Sequence, residues 1–129
     1  MNKYRVLVVG VGNMGSAHAK AYNDIREFEL VGLVAKTEKR RSPLSKRLGG
    51  VREFDDFEKA LSECNPDVVS INTYTESHKE YAIKSLTHGA HIFIEKPLAE
   101  TIEDALEIIE LARKKNRKIV VGYILRFDP

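Results

Sequence analysis

Three groups of residues in this chain have the types and spacing to do chemistry. The first is Gly10-Val11-Gly12-Asn13-Met14-Gly15, a G-x-G-x-x-G run placed directly behind the β-branched stretch Arg5-Val6-Leu7-Val8-Val9. A buried strand that ends in such a run and opens a helix makes a cradle for a dinucleotide. Gly10 permits the tight turn, Gly12 admits the pyrophosphate to the backbone, and Gly15 lets helix and strand pack closely. Asn13 and Met14 lie at the helix start, where free amides and the dipole favour an anion. Viewed alone, the glycines also describe an ordinary strand-to-helix turn.

The second group is Ala35-Lys36-Thr37, followed by Arg40 and Arg41. It lies about 20 residues past the glycines, where NAD-specific domains place an acidic residue on the ribose 2′-hydroxyl. Lys36, Thr37 and Arg40 or Arg41 offer charge-assisted donors to a 2′-phosphate instead. The composition predicts NADP as the preferred cofactor over NAD. Glu38 opposes that choice if the loop turns it toward the ribose, and the same segment also reads as a solvated loop. The third group is Glu95-Lys96-Pro97, which puts an ammonium group just beyond the apolar run His91-Ile92-Phe93-Ile94.

The elements that must position these groups alternate along the chain. Strands are expected at 5–9, 29–34, 51–53, 68–71, 91–94 and 119–124, because each is a short apolar run bounded by turn residues. Helices are expected at 17–26, at 42–48 with Pro43 in its first turn, and from a cap at Asp55 or Asp56 to about Cys64. A further helix is expected from Thr75 to Leu86, stopped by Gly89, and another opens at Thr101 and ends in Arg113 to Lys118. About six strands separated by helices imply an α/β fold, a doubly wound and mostly parallel sheet of Rossmann type. Ligands of such sheets bind at the carboxyl ends of the strands, where the strand order reverses.

Composition narrows the function further. The chain has 129 residues, 43% hydrophobic and 31% charged, enough for one packed domain. A net charge of +2, with no aromatics interleaved in the basic Lys36–Arg41 cluster, argues against a nucleic-acid partner. No segment has the length of a membrane span or signal peptide. Cys64 is the only cysteine, which rules out an intramolecular disulfide or thiolate zinc site and fits a cytoplasmic setting. No metal site is expected, because Gly89 breaks the only closely spaced histidine pair, His88 and His91.

Four ordered segments resemble the glucose–fructose oxidoreductase and inositol dehydrogenase family of NAD(P)-dependent enzymes. They are Gly10–Gly15, Thr73-Tyr74-Thr75-Glu76-Ser77-His78, Glu95-Lys96-Pro97, and Gly122-Tyr123 with Arg126-Phe127-Asp128-Pro129. The resemblance spans residues 1–129 and implies an oxidoreductase that moves hydride between NAD(P) and a sugar, polyol or related substrate. It implies that Lys96 is catalytic, stabilising charge at the reacting carbonyl or holding the substrate hydroxyl. Glu95, Lys96 and Pro97 are together implied to border the cofactor. Thr73 and Tyr74 are implied to line the nicotinamide side, although Tyr74 and Thr75 replace the family's proline and asparagine. Thr75 also reads as a helix cap, and His78, implied to belong to the same cofactor-binding segment, reads as first-turn packing rather than a general acid.

The family's second domain, with its acid–base pair, most substrate contacts and the homo-oligomer interface, has no counterpart in this sequence. The chain alone is therefore expected to bind without turning over. It reads either as half of a dehydrogenase or as a stand-alone dinucleotide-binding or redox-sensing module.

Overall fold

The computed structural model describes residues 2–123. Six strands form one sheet: β1 (Tyr4–Val9), β2 (Phe28–Val34), β3 (Glu53–Phe54), β4 (Val68–Ile71), β5 (His91–Glu95) and β6 (Ile119–Gly122). Five helices alternate with them: α1 (Asn13–Asp24), α2 (Glu38–Arg47), α3 (Phe57–Cys64), α4 (His78–His88) and α5 (Ile102–Lys115). Every strand pair is parallel, in the order β3-β2-β1-β4-β5-β6. The order reverses between β1 and β4, which opens a crevice at the carboxyl ends of those strands.

The strand sequences explain the layering. Side chains alternate between faces, and both faces of β1 are covered, so Val6, Leu7, Val8 and Val9 are all buried. Val6 and Val8 pack with Ala19 and Leu44 under α1 and α2. Leu7 and Val9 pack with Ile71, Ile94, Leu86 and Ile108 under α3, α4 and α5. The ends of the sheet differ. β3 contributes only two residues, whereas β6 contributes four, with Val120 55% exposed.

Several element boundaries differ from the sequence expectation. α1 begins at Asn13 rather than Ala17, because the second half of the glycine run is itself the first helical turn, with Ser16 N–H donating to the Gly12 carbonyl at 2.8 Å. α2 begins at Glu38 rather than Ser42, so Pro43 lies inside the helix and leaves the Lys39 carbonyl without its usual donor. Both residues are exposed, where water satisfies that carbonyl. Thr75 does not cap a helix. It opens a single 3₁₀ turn ahead of α4, and the Ser77 hydroxyl lies 2.8 Å from the Tyr74 carbonyl and 2.6 Å from Thr73 Oγ1. β3 sits at Glu53–Phe54, and β6 ends at Gly122. The expected continuation to Ile124, and the motif residues Arg126 to Pro129, lie outside the described residues.

Candidate functional site

The three glycines of the first turn are held in three different ways. Gly10 has φ +88°, and a Cβ there would fall 2.6 Å from the Asn72 carbonyl oxygen at the end of β4. Only glycine fits that conformation and that gap. A Cβ on Gly15 would fall 1.8 Å from the Gly10 carbonyl oxygen, so α1 can approach its own strand only at a residue with no side chain. Gly12 is open: among the described residues, the only heavy atom near a Cβ there is a guanidinium nitrogen of Arg40, at 3.7 Å. Two glycines are filled by the fold, and the third faces empty space.

That space lies over a free helix end. α1 has no side-chain cap and no acidic residue in its first turn. The other helices each carry an acidic first-turn residue: Glu38, Glu58, Glu80, or Glu103 with Asp104. The α1 amides and dipole are thus left unanswered by the protein's own carboxylates, the condition for binding a phosphate. An adjacent guanidinium adds to the same field.

The residues after β2 divide into a structural and a free set. The Arg41 guanidinium donates to the Ala35 carbonyl and to Phe54 O at 3.3 Å, and pairs with Glu53 at 3.1 Å. The Ser42 hydroxyl, followed by the Arg41 guanidinium, holds the Glu53 carboxyl below the usual carboxylate range. Arg41 is therefore occupied in tying α2 to β2 and β3. Lys36, Thr37 and Arg40 are exposed, and Lys36 and Arg40 make no ion pair among the described residues. Of the sequence candidates in this segment, Arg40 is the one that reaches toward Gly12.

Across the crevice, the loop after β4 and the loop after β5 meet. Thr73 Cγ2 lies 3.1 Å from the position of a Gly10 Cβ, and Tyr74 is 86% exposed. Lys96 and Pro97 are exposed beyond β5 and joined by a cis peptide bond. His78 lies beneath these loops rather than on their surface: it is fully buried, with Nδ1 2.9 Å from the Pro97 carbonyl and Nε2 3.0 Å from the Thr73 carbonyl. A neutral ring donates to one of these carbonyls and an imidazolium to both. In either state the ring is held by the backbone, through one nitrogen or both.

The Glu95 side chain turns away from the crevice surface. Its Oε1 accepts from His18 Nε2 at 2.6 Å, with the two side chains 14% and 17% exposed. The His18 ring packs on Phe93 at 4.9 Å between centroids. Nearby, Asn72 Nδ2 donates to Ser70 O and Oγ, both at 3.1 Å, while its buried Oδ1 finds no donor among the described residues. Burial is the main influence raising the Tyr22 phenol above its ordinary range, with Ser70 and Glu95 as lesser influences.

Sequence reasoning missed His18 and Asn72 beside this site, and gave Gly122 no part in it beyond the family segment. The His18 signal was present: Gly15, His18, Ala19 and Tyr22 form the inward stripe of α1, and a polar ring on such a stripe asks for a buried partner. Hollows lie between α3 and α4 and at the amino-terminal ends of β1 and β2. The glycine turn is an open ledge, the form expected where an extended dinucleotide lies across a sheet edge.

Comparison with known proteins agrees with this geometry. The profile of an oxidoreductase family with an NAD-binding Rossmann fold matches residues 4–123. D-glucoside 3-dehydrogenase of Escherichia coli is 31% identical over 124 residues, covering 95% of this chain and 35% of that protein. Scyllo-inositol dehydrogenase from Lactobacillus casei, solved with NAD(H) and scyllo-inositol, superposes with a TM-score of 0.91 at 27% identity, covering 98% of this chain and 38% of that one. UDP-N-acetylglucosamine 3-dehydrogenase from Acidithiobacillus ferrooxidans gives a TM-score of 0.90 at 32% identity, covering 100% of this chain and 41% of that one. The chain thus spans between about a third and two fifths of the length of these relatives.

Proposed function

The chain belongs to the oxidoreductase family with an NAD-binding Rossmann fold, and from that premise we propose that it is the nicotinamide-dinucleotide-binding part of a dehydrogenase acting on a sugar, polyol or related carbonyl or hydroxyl substrate. The observation that carries this reading is the open Gly12, over an uncapped and acid-free α1 terminus, on the same sheet edge as Lys96.

The residues divide the ligand among them. The backbone at Gly12, Asn13 and Met14 takes the pyrophosphate, with Gly10 and Gly15 shaping the turn. Ala35, Lys36, Thr37 and Arg40 face the adenosine ribose, and the free cations there support NADP(H) over NAD(H). Thr73 and Tyr74 border the nicotinamide half, and His78, Glu95 and Pro97 hold the loops that border it. When bound, the nicotinamide supplies or accepts the hydride. The Lys96 ammonium, held at a strand end, stabilises negative charge at the substrate oxygen or orients its hydroxyl.

Because the chain covers only part of each relative, we assign substrate choice, the proton acceptor and self-association to a further domain of the whole protein. A purely sensing module needs no ammonium beside the nicotinamide, so the Lys96 loop favours the enzyme reading. The buried thiol of Cys64 is in keeping with a cytoplasmic setting. No described helix is long and apolar enough to cross a membrane.

Calorimetric titration with NADPH and NADH separately tests the reading. Binding of either supports the dinucleotide assignment, and tighter NADPH binding supports the cofactor preference. Absence of heat with both ligands, in a folded sample, refutes it.

A further inference from the structure

Lys96 stands between two residues that are each held by a histidine from a different helix. Glu95 is bound by His18 of α1, and the Pro97 carbonyl by His78 of α4. The two helices lie on opposite faces of the sheet. We propose that His18 and Glu95 are positioning residues that tie the phosphate-binding helix to the lysine loop, so that the two halves of the dinucleotide site are mechanically one unit. This rests on the dinucleotide reading given above.

The geometry supports more than a stabilising contact. His18 lies about one turn along α1 from Gly15, so its ring is carried by the rigid segment that presents the phosphate amides. Glu95 is the last residue of β5, and successive strand side chains point to opposite sides. Fixing Glu95 against α1 therefore fixes the direction in which the chain departs toward Lys96. A ring N–H to a carboxylate at 2.6 Å, with both side chains mostly withdrawn from water, is a strong and directional contact.

The surroundings are shaped to keep it. Phe93, two residues back on the same face of β5, packs on the His18 ring and restricts its rotation. Gly122 on β6 makes room for the carboxylate, since a Cβ there would fall 3.1 Å from Glu95 Oε1 and 3.0 Å from Phe93 Cζ. A buried carboxylate adds little net stability compared with an apolar residue of the same size. Its use here is direction: it sets where the next residue goes.

The test uses the chain itself and two ligands that differ only in the nicotinamide half, NADPH and 2′-phospho-ADP-ribose. His18→Leu is expected to weaken NADPH about 3- to 10-fold while leaving 2′-phospho-ADP-ribose within about twofold, since a charge-assisted contact is lost on one half of the site only. His18→Gln, whose amide N–H reaches the same carboxylate, restores NADPH affinity. Equal weakening of both ligands, or no change in either, overturns the proposal.

A second measurement needs no ligand. Hydrogen exchange over residues 95–99 is expected to rise about 10-fold in His18→Leu and to return toward wild type in His18→Gln. Unchanged exchange overturns the coupling even where dinucleotide binding holds, and wild-type protein that binds neither ligand but shows the exchange effect separates failure of the functional reading from failure of the coupling.

Discussion

Substituting the glycines one at a time should separate binding from folding. At Gly12 the backbone is extended, with φ −70° and ψ −161°, a conformation that valine adopts readily. Among the described residues, the only neighbour of its Cβ is the guanidinium end of the exposed Arg40 at 3.7 Å. Gly12→Val should therefore shift folding stability by no more than about 0.5 kcal/mol, the usual range for an open surface position. Its methyl groups would fill the space above the α1 amides, and a phosphate kept out of that space forfeits one or two charge-assisted hydrogen bonds. At about 1.5–3 kcal/mol each, the loss is at least roughly tenfold in Kd and more than about 100-fold if both are lost. At Gly15 the balance inverts. A Cβ 1.8 Å from the Gly10 carbonyl oxygen cannot be accommodated without moving α1 off β1, so Gly15→Ala should cost about 3 kcal/mol or more of stability. Calorimetry and thermal melting on the same three proteins decide the matter. A Gly12→Val protein that melts normally and binds NADPH within threefold of wild type refutes the assignment, as does a Gly15→Ala protein that melts like wild type.

Arg40→Ala should weaken NADPH about fivefold more than NADH, the size expected of an exposed guanidinium–phosphate contact, and added salt should narrow the difference; equal effects on both ligands would remove Arg40 from the ribose site. His91 tests the pH dependence. Burial first, then Arg117 and Lys118, lower its pKa from 6.5, and its Nδ1 accepts from the Lys118 N–H at 2.9 Å. A depressed histidine contributes stability that is present above about pH 6.5 and lost as pH falls through the lower folded value. The urea midpoint should therefore drop between pH 7.5 and 5.5, and His91→Gln, which keeps an acceptor but does not titrate, should flatten part of that slope. Cys64 is 1% exposed, and burial is the main cause of its raised thiol pKa. Labelling by a neutral maleimide should thus be slow in the native state and follow unfolding with denaturant; rapid native labelling would contradict the packing of α3 against β2.

Legibility in the sequence followed the range of the interaction. β4 matches its expected bounds residue for residue, because Val68-Val69-Ser70-Ile71 is an apolar run closed off by Pro66-Asp67 and Asn72. The steric roles of Gly10 and Gly15 were also readable, since the motif and its strand lie within a dozen residues. Helix starts were less so. Glycines with low helix propensity hid the first turn of α1, and in α2 the charged run Glu38–Arg41 carries no apolar period to mark a beginning. The His18–Glu95 pair joins residues 77 positions apart and needs the β1-β4-β5 order to bring them together. Nothing local distinguishes Arg40 from Arg41 either. Only the placement of β3, which turns Arg41 toward Glu53, leaves Arg40 free for the ligand edge.

The unequal ends of the sheet bear on how this chain behaves in crowded solution. At the β3 end, the two-residue strand Glu53–Phe54, preceded by Arg52, offers a newcomer almost no backbone to grip. At the β6 end, Ile119-Val120-Val121-Gly122 presents a longer apolar margin, and no described strand pairs with its outer side. Two chains meeting margin to margin would satisfy each other's free amides and carbonyls and then present only their blunt β3 ends outward. Any such pairing of the described residues would stop at two chains, because the blunt β3 ends offer little template from which to run on into a fibre.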